Sequence, residues 1–269
     1  MGSEVRVSSE IKKRVRIAIP FPMLKGRYLP VVLEEGIVPE IGLDHQALDL
    51  FSPEDFQEAA RMLQEAGIRP TVHAPFCDLS PGAFDREVRR ASLKRLKEAL
   101  EIARLFAPEV VVFHSGYHPG YHRERQEAWQ ELFRPGLREL VALAENLGLK
   151  LALENVFEPS PSLLTTLVEE MNSPALGYCF DAGHALAFAK SEWVPWLEAF
   201  KGRLFEIHVH DNDGTWDDHL VPGQGKIPFP EIFSFLEAEG LAPVITYEAH
   251  REEDVLPGLV YLERILQEK

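Results

Sequence analysis

Cysteine is nearly missing from this chain of 269 residues: Cys77 and Cys179 are the only two, far apart and in no Cys-x-x-Cys pair. That excludes a disulfide-stapled secreted scaffold and points to a reducing compartment. Long hydrophobic runs are missing too. No stretch of 18 apolar residues occurs, so nothing is expected to span a membrane. The opening Met1-Gly2-Ser3-Glu4-Val5-Arg6 lacks the apolar centre of a signal peptide, and the cytoplasm is the expected location. Positive charge is in deficit, with 28 Lys and Arg against 43 Asp and Glu for a net charge of −15. A broad basic surface for nucleic acid or anionic lipid is therefore not expected, so neither DNA nor a membrane is an expected partner. The apolar share of 45% is that of an ordinary globular protein, which excludes disorder and collagen-like repetition.

Short, nearly continuous apolar runs alternate with longer amphipathic ones. Strands are expected at 15–19, 38–42, 69–73, 109–114, 150–154, 176–181, 204–209 and 244–248. Their lack of polar alternation is how strands buried on both faces of a parallel sheet read. Between them, Ser52-Pro53-Glu54 opens a helix with a capping residue and an early proline, and Gly67 closes it. Residues 85–105 place Val88, Leu93, Leu96, Leu100 and Ala103 along one helical face, and 123–146 repeat the pattern up to Gly148. Helices are also expected at 162–171, 193–200, 230–239 and 252–267, with a short one at 28–35. Trp193, Trp196 and Phe200 sit at helical spacing and read as core. Eight such units with no linker predict an α/β fold, a (β/α)8 TIM barrel of one domain at 15–269 behind an N-terminal extension at 1–14. A doubly wound sheet is the alternative, but no GxGxxG follows the first strand.

A barrel of this kind gathers its active site at the C-terminal ends of its strands. Here the third to eighth strands end, in order, at His73, His114, Glu154, Asp181, His208 with His210, and Glu248. A lone buried strand histidine is more often a hydrogen-bonded core residue. Six consecutive strand ends carrying His, Asp or Glu instead form a ligand set for a divalent transition metal. Asp181-Ala182-Gly183-His184 adds a histidine within reach of the same ion. Downstream, Asp217-Asp218-His219-Leu220-Val221-Pro222-Gly223-Gln224-Gly225 aims two more donors one way, and its glycines allow a close backbone approach to a ligand.

In order and spacing, Val-His-Ala-Pro-Phe, Phe-His-Ser-Gly, Leu-Glu-Asn, Phe-Asp-Ala-Gly-His, His-Val-His-Asp-Asn, Asp-Asp-His-Leu-Val-Pro-Gly-Gln-Gly and Tyr-Glu-Ala resemble the xylose isomerase-like TIM-barrel superfamily. That superfamily holds sugar and sugar-phosphate isomerases and epimerases together with endonuclease IV-type enzymes. The epimerase branch implies one divalent ion, Zn or Mn among the candidates, held by Glu154, Asp181, His208 and Glu248, with Glu154 and Glu248 as acid and base. The endonuclease IV branch implies three zinc ions on nine positions, which here are His73, His114, Glu154, Asp181, His184, His208, Asp217, His219 and Glu248. The local wording around Asp181 and His208 is closer to the isomerases, and the segment between His208 and Asp217 is short for a DNA-inserting loop.

Both chemistries use these residues. Sugar isomerisation removes a proton beside a metal-polarised carbonyl, and Glu154 and Glu248, three strands apart, can flank that carbon. Phosphodiester hydrolysis needs two or three ions, and His73, His114, Asp217 and His219 would add the ligands. The expected substrate is a small sugar, with a small phosphoester as the alternative. His184, His210 and Glu40 are expected to contact it. His118 and His122 are expected to be solvated or to line the substrate, and Asp211 and Asp213 to orient imidazoles or make a turn. The oligomeric state is left open.

Overall fold

The structure is a computed structural model and describes residues 7–267. Residues 1–6 of the expected extension and 268–269 of the expected barrel domain lie outside the described residues. Eight parallel strands close a barrel in sequence order: β1 (Val15–Pro20), β2 (Val38–Gly42), β3 (Thr71–His73), β4 (Val111–His114), β5 (Leu151–Glu154), β6 (Leu176–Asp181), β7 (Leu204–Val209) and β8 (Val244–Tyr247). β8 pairs with β1 through Val15↔Ile245 and Ile17↔Tyr247, which closes the ring and removes free edges.

Alternate strand residues face opposite ways, and the two directions have different cores. Outward-facing residues such as Val111, Phe113, Leu151, Leu153, Phe180 and Ile207 join the large side chains of the surrounding helices, among them Trp129, Phe133, Trp196 and Phe200. A separate small cluster of Val110, Val112, Ala152 and Cys179 forms within the ring. The wall also carries buried polar residues, namely Glu40, Thr71, Glu206, Thr246 and His208. Such groups are costly to bury unless partnered, so their presence marks a side of the barrel built for something other than packing.

Helices start and stop where local chemistry dictates. Ser52 caps the helix Pro53–Glu65 in a reciprocal box with Asp55, and Asp85 caps Arg86–Ala103. Gly148 ends Gln126–Leu147 in the left-handed conformation that favours glycine. Val88 departs from expectation. It is 42% exposed in the first turn of its helix, while Leu96 and Leu100 further along are buried. The first unit's helix is the short Leu29–Glu35, entered through the wider turn Leu24–Tyr28. Within the expected extension, Ser9–Arg14 is a helix whose Ile11 is buried in the core, and the Ser8 N–H donates to Glu263 of the last helix at 2.9 Å.

Candidate metal centre

The strand ends and the segments that follow them bring the nine expected donors to one mouth, in three groups, two of which share Glu154. His73 and His114 both direct Nε2 at Oε2 of Glu154, at 3.2 and 3.1 Å. The Nδ1 of His208 faces Glu248 at 3.4 Å, Glu154 at 3.6 Å and Asp181 at 3.9 Å. The Nε2 atoms of His184 and His219 approach one oxygen of Asp217, at 3.3 and 3.1 Å. Glu154 belongs to the first two groups, one carboxylate oxygen in each.

These spacings test whether the residues fit a divalent ion. Two ligands at Zn–N or Zn–O distances of about 2.0–2.1 Å in tetrahedral geometry stand roughly 3.3 Å apart. The observed separations cluster around that value. Proton placement gives a second test. A carbonyl oxygen only accepts, so the Nδ1 of His73 must donate to Ala74 at 2.8 Å and that of His184 to Asn155 at 3.0 Å. His219 likewise donates Nδ1–H to the carbonyl of Glu248 at 3.2 Å. Each Nε2 is thereby turned inward toward a carboxylate, an approach satisfied by a second proton on the ring or by a metal cation between the two. Both ring nitrogens of His208, Nδ1 of His210 and Oδ1 of Asp217 are buried without a hydrogen-bond partner. The set fits a divalent metal.

The electrostatics agree. Burial opposes ionisation of Glu154, but the imidazoles of His208 and His114 hold its carboxyl well below the usual carboxylate range. Burial pushes the His184 imidazole toward its neutral form, and Asp181, Asp217 and Glu154 outweigh it, so its pKa lies well above the ordinary value. For His208 the same burial is outweighed by Cys179, Glu248, Glu154 and Glu40. At His114 burial wins over Glu154 and the pKa falls, as suits a neutral ligand.

Several neighbours hold this arrangement. Asp181 spends Oδ1 on the N–H of His184 at 2.7 Å, which starts the helix Ala182–Ala187 and leaves Oδ2 for the mouth. Asn155 clamps β5 to β6, exchanging hydrogen bonds of 2.9 and 2.8 Å with the backbone of Asp181. His210 reaches Oδ2 of Asp181 at 2.9 Å and lies on Gly183 so closely that a Cβ there would stand 2.1 Å from the ring. That contact explains the glycine in Asp-Ala-Gly-His.

The segment after β7 delivers Asp217 and His219. Its anchor is Asp211, a buried carboxylate that accepts the N–H groups of Asn212, Gly223, Gly225 and Ile227 at 2.9, 2.8, 2.9 and 3.1 Å. The glycines expected to approach a ligand instead approach this carboxylate, and a Cβ on Gly225 would lie 2.3 Å from it. Asp211 therefore holds a loop rather than an imidazole. His219 itself takes a left-handed φ of 49°, a strained choice for a non-glycine residue.

Other expected site residues are placed differently. Glu40 is 1% exposed and sits in the middle of β2 rather than at its end, with Oε2 3.5 Å from Nε2 of His208 and a carboxylate oxygen within 4.8 Å of a Glu248 donor. His122 is buried against Tyr117 and Trp129 and accepts the N–H of His118 at 2.9 Å, which removes it from solvent and from the mouth. His250, to which the sequence assigns nothing, stacks on His219 at 3.6 Å, while His219 stacks on His210 at 3.7 Å. Only the alternation of histidines across three segments hints at that column. Phe76 rests on His114, and Phe188 on His184, so aromatic rings flank the opening.

The chain and its fold resemble known proteins. An uncharacterized protein of Methanocaldococcus jannaschii is 31% identical over 223 residues, 80% of this chain and 76% of that protein. The fructoselysine 3-epimerase of Escherichia coli O157:H7 is 27% identical over 171 residues, 61% of each chain. Among solved structures, a D-tagatose 3-epimerase-like protein superposes with a TM-score of 0.81 at 26% identity, covering 94% of this chain and 97% of the other. A Thermus thermophilus protein soaked with zinc chloride gives 0.80 at 29% identity, over 95% and 99%. The family pattern of the xylose isomerase-like TIM barrel matches residues 39–265. The chain belongs to the xylose isomerase-like TIM-barrel family.

Proposed function

We propose that the protein is a divalent-metal-dependent sugar isomerase or epimerase of the cytoplasm, using zinc or manganese on a small sugar or sugar phosphate. The observation that carries this reading is the convergence of Glu154 and Glu248 on the inward Nδ1 of His208, at 3.6 and 3.4 Å. The epimerase names of the relatives support it. Glu154, Asp181, His208 and Glu248 would hold the ion, which supplies Lewis acidity to the carbonyl beside the exchanging carbon. Glu248, at the rim, takes the carbon-bound proton on one face, and Glu154 returns one on the other. Asp181 keeps Oδ2, which His210 also contacts, aimed into the mouth by spending Oδ1 on the helix cap. Phe76 and Phe188 restrict water at the opening, which strengthens these charges.

In D2O, the zinc- or manganese-loaded protein is expected to exchange a carbon-bound hydrogen of D-tagatose, D-fructose or D-psicose. Glu154→Gln and Glu248→Gln should each abolish the exchange. Undiminished exchange in both variants overturns the assignment.

A second reading, a multinuclear zinc phosphoester hydrolase, is favoured by one observation: His73, His114, Asp217 and His219 form two further donor groups at the same spacings. Elemental analysis separates the two. About one equivalent of metal supports the isomerase and two or three zinc support the hydrolase.

A further inference from the structure

Glu40 has a place in the centre that its burial conceals. His73 and His219 are oriented alike, with Nδ1–H on a backbone carbonyl and Nε2 inward, while the Nδ1 of His184 stands 3.0 Å from both the Asn155 carbonyl and Oε1 of Glu154. His208 is reversed. Its Nδ1 faces Glu248, Glu154 and Asp181, and its buried Nε2 has no backbone carbonyl bonded to it. The group behind Nε2 is Oε2 of Glu40, at 3.5 Å.

Glu40 is itself held. The Thr71 hydroxyl donates to the same oxygen at 3.3 Å. Its other oxygen has no donor facing it except the neighbouring Glu206 carboxyl, whose ionisation burial and Glu40 oppose. The Thr246 hydroxyl donates to Glu206 in turn. Two carboxyl groups side by side in a dry compartment are costly, and hydrophobic packing of the same volume would be cheaper. The arrangement has a use if one of them serves the imidazole beside it.

We propose that Glu40 is the positioning residue of His208: it accepts the Nε2 proton, fixes the tautomer whose Nδ1 lone pair faces the three carboxylates, and thereby sets the affinity of the centre for a divalent cation. The inference rests on the metal-centre reading above. A carboxylate in this position does what the backbone carbonyls do for the other histidines and also makes the imidazole a better donor. It adds to the charge available to the cation without occupying a coordination position.

The test is zinc affinity, measured by competition with a chromophoric chelator on the full chain, together with the thermal midpoint of the chelated protein and the ¹⁵N shifts of the His208 ring. Glu40→Leu is expected to weaken zinc binding by about 10- to 100-fold. The chelated variant should melt no lower than the parent, since one of two adjacent buried carboxyls is gone. Glu40→Gln, whose amide oxygen still accepts the Nε2 proton, should recover most of the affinity and keep the ring in the same tautomer. Parental affinity in Glu40→Leu overturns the inference while leaving the metal centre intact. Equal loss in Leu and Gln variants, with a lower midpoint in both, also overturns it and assigns Glu40 to packing. A parent protein that binds no zinc removes the metal centre and this inference together.

Discussion

Asp211→Asn changes one oxygen to an amide nitrogen and leaves the side chain the same size. In the parent, Oδ1 accepts from Asn212 and Ile227 and Oδ2 from Gly223 and Gly225. An asparagine can serve only one of these pairs, and its NH2 group then faces two further donors. Two buried N–H groups lose their acceptor, each at a cost of about 1–3 kcal/mol, and the charge assistance to the remaining two is lost. Relaxation of the loop toward water recovers part of this, so a net destabilisation of about 2–4 kcal/mol is expected. At roughly 2–4 °C per kcal/mol for a chain of this size, the midpoint should fall by about 4–16 °C. The loop carries Asp217 and His219, so its loosening should also disperse the donor group they form with His184, while the groups around Glu154 persist. Differential scanning calorimetry of the chelated protein and zinc counting of the loaded protein read the two effects. A midpoint within about 1 °C of the parent, with zinc content unchanged, would refute the role given to Asp211.

Gly183→Ala places a Cβ 2.1 Å from the His210 ring. Overpacking should cost about 1–3 kcal/mol, and displacement of His210 from Asp181 should weaken zinc binding, both measurable on the same preparation. His114→Ala should leave proton exchange largely intact in a one-metal isomerase and abolish turnover in a multinuclear hydrolase, so a panel of ketohexoses and of nitrophenyl phosphodiesters assigns the chemistry. His122 gives a pH signature. Burial, with His118 and Arg125 nearby, lowers its pKa to about 4. The unfolded chain takes up this proton first as pH falls, so the contribution to stability is whole above about 6.5 and declines between there and about 4. His122→Phe should flatten the fall in melting midpoint across that window, and an unaltered slope counts against the assignment.

Much of the barrel is legible because strands buried on both faces cannot alternate polar and apolar residues. The runs ending at Glu154 and Asp181 can thus be read as strands, and their last residues as lining the mouth. Strand starts are less legible. Arg69 and Glu109 read as part of β3 and β4 but lie before them, where Arg69 bonds the carbonyls of Ala107 and Pro108 and Glu109 pairs with Arg16. The nine donors can be found from their position alone. What holds them cannot. Asp211 and its glycines, Gly183 beneath His210 and Glu40 beside His208 are contacts between segments 12 to 168 residues apart, and no local pattern encodes them. Glu40 misleads for a specific reason: an acid in the middle of a buried strand reads as though it lay at that strand's open end.

The column of His210, His219 and His250 runs from the buried end of the site to an exposed ring, with interplanar angles of 12° and 13°. A ring sandwiched between two nearly parallel aromatics experiences the ring currents of both. The carbon-bound protons of His219 should accordingly resonate upfield of free imidazole whenever its loop is seated, and return toward the free value when it lifts. Loop occupancy can thus be followed by NMR in solution without any added label, independently of turnover.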